Sequence, residues 1–325
     1  MDNFYQGKKI LVAGGTGLMG APLVNMLVEQ GAKVRVASLD SSELAHPAAE
    51  FIYGDLMNIK NCYGACDGQE IVFNLLGAKG SPKMNHEKQA VFFDANIIPN
   101  LVLLRTAHES GVQRFLYTST VGVYPQAERF YEDIDLWSTF PSEKFPGWAK
   151  RMGELQAEAY ALQYKWDKIS IIRPTNTYGP NDNFDPKNAM VIPSLIQRIM
   201  EGENPLVVRS KNTRRDFLYA EDVARGMMLV VESGYNKPVN LGSGEGCTIE
   251  QLVNTIIAHV DKKPHIFWKE GEHSKDKVRV MDISRATALG WRPRISLDEG
   301  IARTMEWYRE NHGEMQRKYN AFDSS

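Results

Sequence analysis

The sequence predicts a doubly wound, parallel α/β fold, and three observations lead to it. A short apolar run, a glycine-rich turn and a helical pattern follow one another within residues 8–31. Strand and helix patterns then alternate as far as residue 120, which favours right-handed βαβ units and a parallel sheet. Glycine, hydroxyl and carboxylate residues follow the predicted strands, and such sheets bind their ligands at the carboxyl ends of the strands.

The first βα unit predicts a dinucleotide site. Residues 10–13 form an apolar strand, and a G-x-x-G-x-x-G spacing then leads into a helix that ends near Gly31. Glycines allow a tight turn and a close approach to an anion, and the first N–H groups of the helix can bind a pyrophosphate. The pattern is typical of a Rossmann-type fold, and the residues assigned here to the cofactor are Gly14, Thr16, Gly17, Leu18, Met19 and Gly20.

The remaining elements are predicted in chain order. Strands are expected at 33–39, 51–53, 71–76, 115–117, 169–173, 238–241 and 266–268, and helices at 87–111, 194–200, 222–232, 248–260 and 297–311. The buried face of the helix at 87–111 is predicted to carry Phe92, Phe93, Ile97, Leu101 and Leu104. We assign residues 1–180 to a cofactor domain, to which 216–241 return, and residues 181–215 and 242–325 to a smaller substrate lobe. The chain after Tyr319 is expected to fray.

The ends of later strands complete the predicted cofactor site. Ser38 stands where an acid usually binds the ribose 2′-hydroxyl, and Asp40 follows two residues later. Hydroxyl groups at this place could bind a 2′-phosphate, and Asp40 could reach a 2′-hydroxyl, so NAD and NADP remain alternatives. Asp55 could accept a hydrogen bond from adenine or cap the following helix. The other residues assigned to the cofactor at strand ends are Leu56, Leu76 and Gly77.

Composition restricts the class of protein. The chain has 325 residues, of which 43% are hydrophobic, and a formal net charge of −2, so no basic excess indicates nucleic acid. No run of 18 or more apolar residues predicts a membrane span. Cys62, Cys66 and Cys247 form no C-x-x-C pair and have no histidine at zinc-site spacing, so we expect free thiols in a reducing cytoplasm and no metal.

Six motifs occur in order along almost the whole chain. They are GGTGLMG at 14–20, YTSTVGVYP at 117–125, WAKRMGELQAEAY at 148–160, IIRPTNTYGP at 171–180, RRDFLYAEDVARG at 214–226 and VNLGSGEG at 239–246. With these motifs the sequence resembles the extended short-chain dehydrogenase/reductase family, in its nucleotide-sugar epimerase, dehydratase and reductase branch. Residues 181–196 look most like the GDP-fucose synthases, which epimerise and reduce a 4-keto GDP-sugar.

The resemblance implies a catalytic Ser/Thr, and a tyrosine and a lysine in a Y-x-x-x-K arrangement. Thr120 matches the Ser/Thr, and Lys150 matches the lysine that binds the nicotinamide ribose. Pro146 stands where the tyrosine belongs, so the usual general acid/base is missing. The histidine and the cysteine used by the GDP-fucose synthases correspond to Met190 and Gly122.

The missing tyrosine leaves several alternatives for acid/base chemistry. The candidates are a water molecule held by Thr120, and the side chains of Glu143, Lys144 and Tyr131. Tyr124 follows Thr120 by four residues, but the resemblance implies that it packs under the sheet. Sugar-nucleotide 4,6-dehydratases have an Asp-Glu pair after the threonine, and this chain has Val121 and Gly122 there, which disfavours that reaction.

The resemblance also implies the substrate, a nucleoside-diphosphate sugar. Asn176 and Arg215 match residues that bind the diphosphate, and Arg279 matches a basic residue that closes on the nucleotide. The further residues assigned to the substrate are Lys79, Ser119, Thr120 and Val191. We therefore expect an NAD(P)-dependent epimerase or 4-ketoreductase that forms homodimers through the helices at 87–110 and 148–163. The alternative is a catalytically silent protein that binds the same ligands.

Overall fold

The computed structural model describes residues 3–269, 277–312 and 318–319. The strands are β1 (Lys9–Ala13), β2 (Lys33–Ser38), β3 (Glu50–Tyr53), β4 (Ile71–Asn74), β5 (Arg114–Thr118), β6 (Arg129–Phe130), β7 (Ile169–Pro174), β8 (Asn176–Tyr178), β9 (Leu206–Val208), β10 (Arg214–Arg215), β11 (Phe217–Tyr219), β12 (Val239–Leu241), β13 (Cys247–Thr248), β14 (Ile266–Trp268) and β15 (Val278–Met281). The helices are α1 (Gly20–Glu29), α2 (Ile59–Cys66), α3 (Pro82–Glu87), α4 (Gln89–Glu109), α5 (Lys144–Tyr164), α6 (Val191–Met200), α7 (Ala220–Ser233), α8 (Ile249–Ala258), α9 (Ser284–Ala288) and α10 (Leu297–Asn311).

Seven parallel strands form the central sheet in the order β12-β7-β5-β4-β1-β2-β3. One face packs against α1 and α7, and the other face packs against α2, α4 and α5. Strand β1 lies between β2 and β4, with Ala13 opposite both Ala37 and Asn74. The carboxyl ends of these strands are therefore neighbours, and the predicted doubly wound parallel sheet is confirmed.

Helix α4 corrects the prediction of one helix over residues 87–111. Residues Pro82–Glu87 form a separate helix, and α4 begins at Gln89. The predicted buried face is also wrong in part, since Phe92 and Leu104 are buried but Phe93, Ile97 and Leu101 are only partly covered. The buried face of α4 instead carries Phe92, Asn96, Pro99, Asn100, Leu103, Leu104, Thr106 and Ala107.

Polar contacts explain the actual orientation of α4. Asn96 donates to the carbonyl of Ala78 at 3.2 Å, and Asn100 accepts a bond from Asn74 at 2.9 Å. These amides lie over the end of β4, where they satisfy buried polar groups of the loop that follows it. The helix is long and apolar enough to cross a membrane, but it packs against α2 and α5, as core helices do.

A second hydrophobic core lies in the C-terminal half. It joins α6, α8 and α10, with Ile196, Leu252 and Ile301 at 0% exposure. Thr248 caps α8 in a reciprocal capping box with Gln251. Trp291, by contrast, packs with the core of the central sheet, so residues from both halves of the chain contribute to that core. The residues after Tyr319 lie outside the described part of the chain.

Candidate functional site

The glycine turn between β1 and α1 has the geometry of an anion cradle. Gly14 has φ +81°, which favours glycine, and its carbonyl accepts the N–H of Gly17 at 3.1 Å. A Cβ at Gly20 would lie 2.2 Å from the carbonyl oxygen of Gly14, so no side chain fits where α1 meets the turn. A Cβ at Gly15 would lie 2.8 Å from Val36, a packing requirement that the predicted spacing did not include. The turn therefore fits a dinucleotide pyrophosphate at the helix N-terminus.

A cavity of about 730 Å³ opens beside this turn, above the carboxyl ends of β1, β2, β3 and β4. The predicted cofactor residues Gly14, Thr16, Gly17, Leu18, Ser38, Asp40, Asp55, Leu56, Leu76 and Gly77 line it, together with Lys79. Met19 instead packs beside the core between α1 and the sheet. The volume is within the usual range for ligand pockets, so the cavity is large enough for a bound small molecule.

Hydroxyl and carboxylate groups at the end of β2 form one connected cluster. Thr16 Oγ1 donates to Asp40 Oδ2 at 2.6 Å and lies 2.8 Å from Ser38 Oγ, which accepts the backbone N–H of Asp40 at 3.1 Å. Asp55 accepts the backbone N–H of Met57 at 2.9 Å in the turn before α2, but α2 begins at Ile59 with Asn58 as its N-cap, so the capping alternative for Asp55 is wrong. Its contact with adenine stays a prediction.

Lys150 is buried beside the loop that follows β4. Its Nζ donates to the carbonyls of Leu76 at 2.8 Å and Thr118 at 2.9 Å, and lies 5.3 Å from the ring centre of Tyr117. Burial lowers the pKa of Lys150 to about 7. A Cβ at Gly77 would lie 3.2 Å from Nζ, so the backbone of the cavity wall passes directly beside the amine.

Two tyrosines lie between Thr120 and α5 in the described chain, and by the contacts below neither is placed to replace the tyrosine missing at Pro146. Tyr124 is buried, donates to Asn240 at 2.6 Å, and accepts from Arg173 at 2.9 Å. Burial raises the pKa of Tyr124 to about 12, so it is unsuited to proton exchange near neutral pH. Tyr131 is 54% exposed on its loop.

Glu143 lies against the loop that carries Thr120. One carboxylate oxygen is 2.8 Å from the place that a Cβ of Gly122 would occupy, and the other accepts from Arg279 at 3.2 Å. Thr120 Oγ1 accepts the N–H of Gly122 at 3.2 Å. Lys144, the residue after Glu143, is exposed, and its Nζ lies 5.1 Å from the ring centre of Phe145. Glu143 is thus an acid/base candidate that contacts the threonine loop.

Ser119 belongs to a buried polar network. Its hydroxyl donates to Glu154 at 2.5 Å, and Glu154 forms an ion pair with Arg173 at 2.7 Å. Ser119 is 3% exposed, so it supports β5 and α5 rather than facing the cavity. Its predicted contact with substrate has no support in this arrangement.

Two predicted substrate ligands, Arg215 and Arg279, lie side by side in the second sheet, whose order is β13-β10-β15-β6. Arg215 of β10 is the direct parallel partner of Arg279 of β15, so their side chains share a face of the sheet. Asn176 donates to the carbonyl of Asp216, the residue after Arg215, at 2.9 Å. The structure thus brings all three residues together. The buried carboxylate of Asp216 accepts the N–H groups of Ser243 and Met281 and holds this corner.

Lys79 and Val191 have different surroundings. Lys79 Nζ forms an ion pair with Asp182 at 2.9 Å at the rim of the cavity. Val191 begins α6 and packs beside the C-terminal core. Their predicted contacts with substrate stay predictions.

Sequence reasoning missed three residues. Arg151 is fully buried and donates to the carbonyl of Val123 at 2.8 Å, fixing the chain after the Thr120 loop. Lys318 and Tyr319 line the cofactor cavity, although they lie close to the C-terminus. The only sequence signal at this place is the positive charge of Lys318, which is suited to binding an anion. No motif or spacing in the sequence relates Lys318 to the cofactor residues.

Comparisons with known proteins agree with this fold. The family described as "NAD dependent epimerase/dehydratase family" matches residues 10–242. Putative GDP-L-fucose synthase 2 of Arabidopsis thaliana is 31% identical over 315 residues, covering 93% of this chain and 92% of the relative. The crystal structure of a UDP-glucose 4-epimerase from Thermotoga maritima with UDP-glucose is 30% identical, with a TM-score of 0.79, covering 94% of this chain and 99% of that one. An epimerase from Methanothermobacter thermautotrophicus is 25% identical, with a TM-score of 0.84 and 97% coverage of both chains.

Proposed function

This chain belongs to the NAD dependent epimerase/dehydratase family, and from that premise we propose that it uses NAD(P) to epimerise or reduce a nucleoside-diphosphate sugar near C4. The glycine cradle and the adjacent cavity support the dinucleotide. The pairing of Arg215 with Arg279, beside Asn176, supports a diphosphate ligand, because guanidinium groups bind phosphate oxygens in a fixed fork.

Lys150 and Thr120 serve the reacting end of the cofactor in this proposal. When bound, the nicotinamide supplies or accepts the hydride. Lys150 Nζ, held by two backbone carbonyls beside Gly77, orients the nicotinamide ribose. Thr120 holds the reacting sugar oxygen through its hydroxyl, as the family resemblance implies.

Glu143 takes the acid/base role that the missing tyrosine leaves open, and its contact with the Thr120 loop is the observation that carries this assignment. A carboxylate suits removal of a proton from a carbon beside a keto group. The proton passes to Glu143, the electron pair of the C–H bond moves to the keto oxygen, and Thr120 donates a hydrogen bond to that oxygen. As the electron pair returns from the oxygen, the carbon takes a proton from solvent on the opposite face and is inverted, and Glu143 releases its own proton to solvent.

The Glu143→Gln variant tests the assignment, because it keeps the shape of the side chain and removes its basicity. UDP-, GDP- and dTDP-hexoses and their 4-keto forms are incubated with NAD(P)(H), and exchange of sugar C–H for solvent deuterium is followed by NMR. We expect the variant to lose about a hundred- to ten-thousandfold in exchange rate while binding the nucleotide as before. Glu128→Gln, on an exposed side chain of the same region, is the matched control. Unchanged exchange in Glu143→Gln contradicts the role of Glu143.

A catalytically silent binding protein is the second candidate, and the proline at position 146 favours it. Such a protein would bind dinucleotide and sugar nucleotide tightly and turn over none of the panel. Turnover that appears only in Pro146→Tyr would support this reading. Turnover by the wild-type chain refutes it.

Assembly and location complete the proposal. Helices α4 and α5 pack together and expose Ile98, Leu155, Leu162 and Tyr164, which supports a homodimer through this face. Light scattering of the purified chain tests it. We further propose a cytoplasmic protein without nucleic-acid or membrane partners, and a substrate lobe formed by residues 181–215 and 242–325.

A further inference from the structure

The C-terminal residues Lys318 and Tyr319 form part of the wall of the cofactor cavity. They line it together with the glycine turn and the end of β2. The cavity keeps about 730 Å³ with both residues in place, so they border the space and do not fill it.

Hydrogen bonds attach this segment to the cavity. The backbone N–H of Tyr319 donates to Asp40 Oδ1 at 2.7 Å, and Lys318 Nζ donates to the carbonyl of Asn181 at 2.5 Å. Because Thr16 occupies the other carboxylate oxygen of Asp40, both oxygens have donors. Asp40 is consequently less able to accept a hydrogen bond from a ribose hydroxyl while the segment is bound.

Lys318 brings a positive charge into the cavity. Burial lowers the pKa of Lys318 to about 8, while the nearby carboxylates of Asp40 and Asp182 oppose that effect and Lys79 adds to it. The ammonium group is therefore mostly charged at neutral pH. Lys79 is already paired with Asp182, whereas Lys318 Nζ is hydrogen-bonded to a neutral carbonyl.

We propose that Lys318 is a phosphate-binding residue of the dinucleotide site, held there by the hydrogen bond from the backbone of Tyr319 to Asp40. This inference rests on the proposed dinucleotide function. The phosphate could be the pyrophosphate, common to NAD and NADP, or the 2′-phosphate of NADP. Both would gain a charge-assisted bond from an ammonium that is partly removed from water.

Binding of NADH and NADPH to the whole chain, followed by nicotinamide fluorescence without any sugar substrate, tests the proposal. We expect Lys318→Ala to weaken binding about ten- to a hundredfold, and Lys318→Arg to retain most of the affinity. A loss for both dinucleotides indicates the pyrophosphate, and a loss for NADPH alone indicates the 2′-phosphate. Lys262→Ala, on an exposed residue, is the matched control.

A second variant tests the docking. Tyr319→Pro removes the N–H group that binds Asp40 and leaves Lys318 in the chain. We expect it to weaken the same dinucleotide that Lys318→Ala weakens. Unchanged or tighter binding in both variants overturns the proposal, since the segment would then be irrelevant or would compete with the cofactor. If the wild-type chain binds neither dinucleotide, the proposed function itself fails.

Discussion

Replacing Lys150 with methionine should remove a pH-dependent contribution to stability. The pKa of Lys150 falls from 10.5 to about 7 in the folded chain because burial disfavours the charge. Between these values the unfolded chain binds more protons at Lys150 than the folded chain does, so stability rises as pH rises. The contribution amounts to about 1.4 kcal/mol per pH unit, and therefore to roughly 5 kcal/mol over the whole interval.

Urea unfolding of the ligand-free wild-type and Lys150→Met chains at pH 7, 8 and 9 measures this slope. The variant also loses the hydrogen bonds to Leu76 and Thr118, which costs about 1–3 kcal/mol for each carbonyl left unsatisfied. That loss does not vary with pH, so the difference between the two slopes isolates the titration of Lys150. We expect the free energy of unfolding of wild type to rise relative to Lys150→Met by about 1 kcal/mol from pH 8 to pH 9.

Parallel pH profiles for wild type and Lys150→Met would refute the reasoning, because Lys150 would then stay protonated in the folded chain. Lys262→Met provides the control, since Lys262 is exposed. Its profile should run parallel to that of wild type. The thiols of Cys62 and Cys66, whose pKa values burial raises to about 12 and about 11, are present in all three chains and cancel in the comparison.

Two further substitutions test the site and its support. Gly20→Ala should abolish NADH and NADPH binding in calorimetry, because its Cβ would lie 2.2 Å from the carbonyl oxygen of Gly14. Gly64→Ala, whose Cβ would lie in open space on α2, is the control and should bind both dinucleotides normally. Binding of either dinucleotide by Gly20→Ala would contradict the role of the glycine turn. Glu154→Ala should lower the free energy of urea unfolding by about 3–5 kcal/mol, since it leaves Arg173 buried without its carboxylate. Wild-type stability in that variant would show that the pair contributes little.

Local patterns predicted the sheet and the cofactor side of the site. The glycine turn and the strand ends lie within a few residues of the strands and helix that orient them. The sequence spacing of these residues is therefore enough to predict where they lie in the fold. Ser38, Asp55 and Gly77 accordingly line one cavity, as their places after β2, β3 and β4 indicate. These residues lie close together because the strands are parallel, so that their carboxyl ends meet at one edge of the sheet.

Long-range contacts account for what the sequence could not predict. Helix α4 turns Asn96 and Asn100 toward the sheet because the chain beyond β4 has carbonyls to satisfy there, and a hydrophobicity pattern contains no such information. The bond between Tyr319 and Asp40 joins residues 279 positions apart. The pairing of Arg215 with Arg279 depends on the register of the second sheet. Strand β10 has only two residues, which is too short for an alternation of polar and apolar residues that would predict the strand.

Pro146 leaves the buried amine of Lys150 without a phenol on the same face of α5. A residue four positions before Lys150 lies on the same face of α5, where a phenolate would stabilise the ammonium. With proline there, burial is the only cause that acts on the amine, and its pKa falls. Lys150 Nζ is also directed to two carbonyls and is 6% exposed, which suits holding a ribose better than exchanging protons with a sugar. Glu143, whose side chain is 38% exposed beside Gly122, has the access to solvent that such exchange requires. In the function proposed above, loss of the tyrosine therefore separates two tasks, cofactor binding by the lysine and proton transfer by the carboxylate.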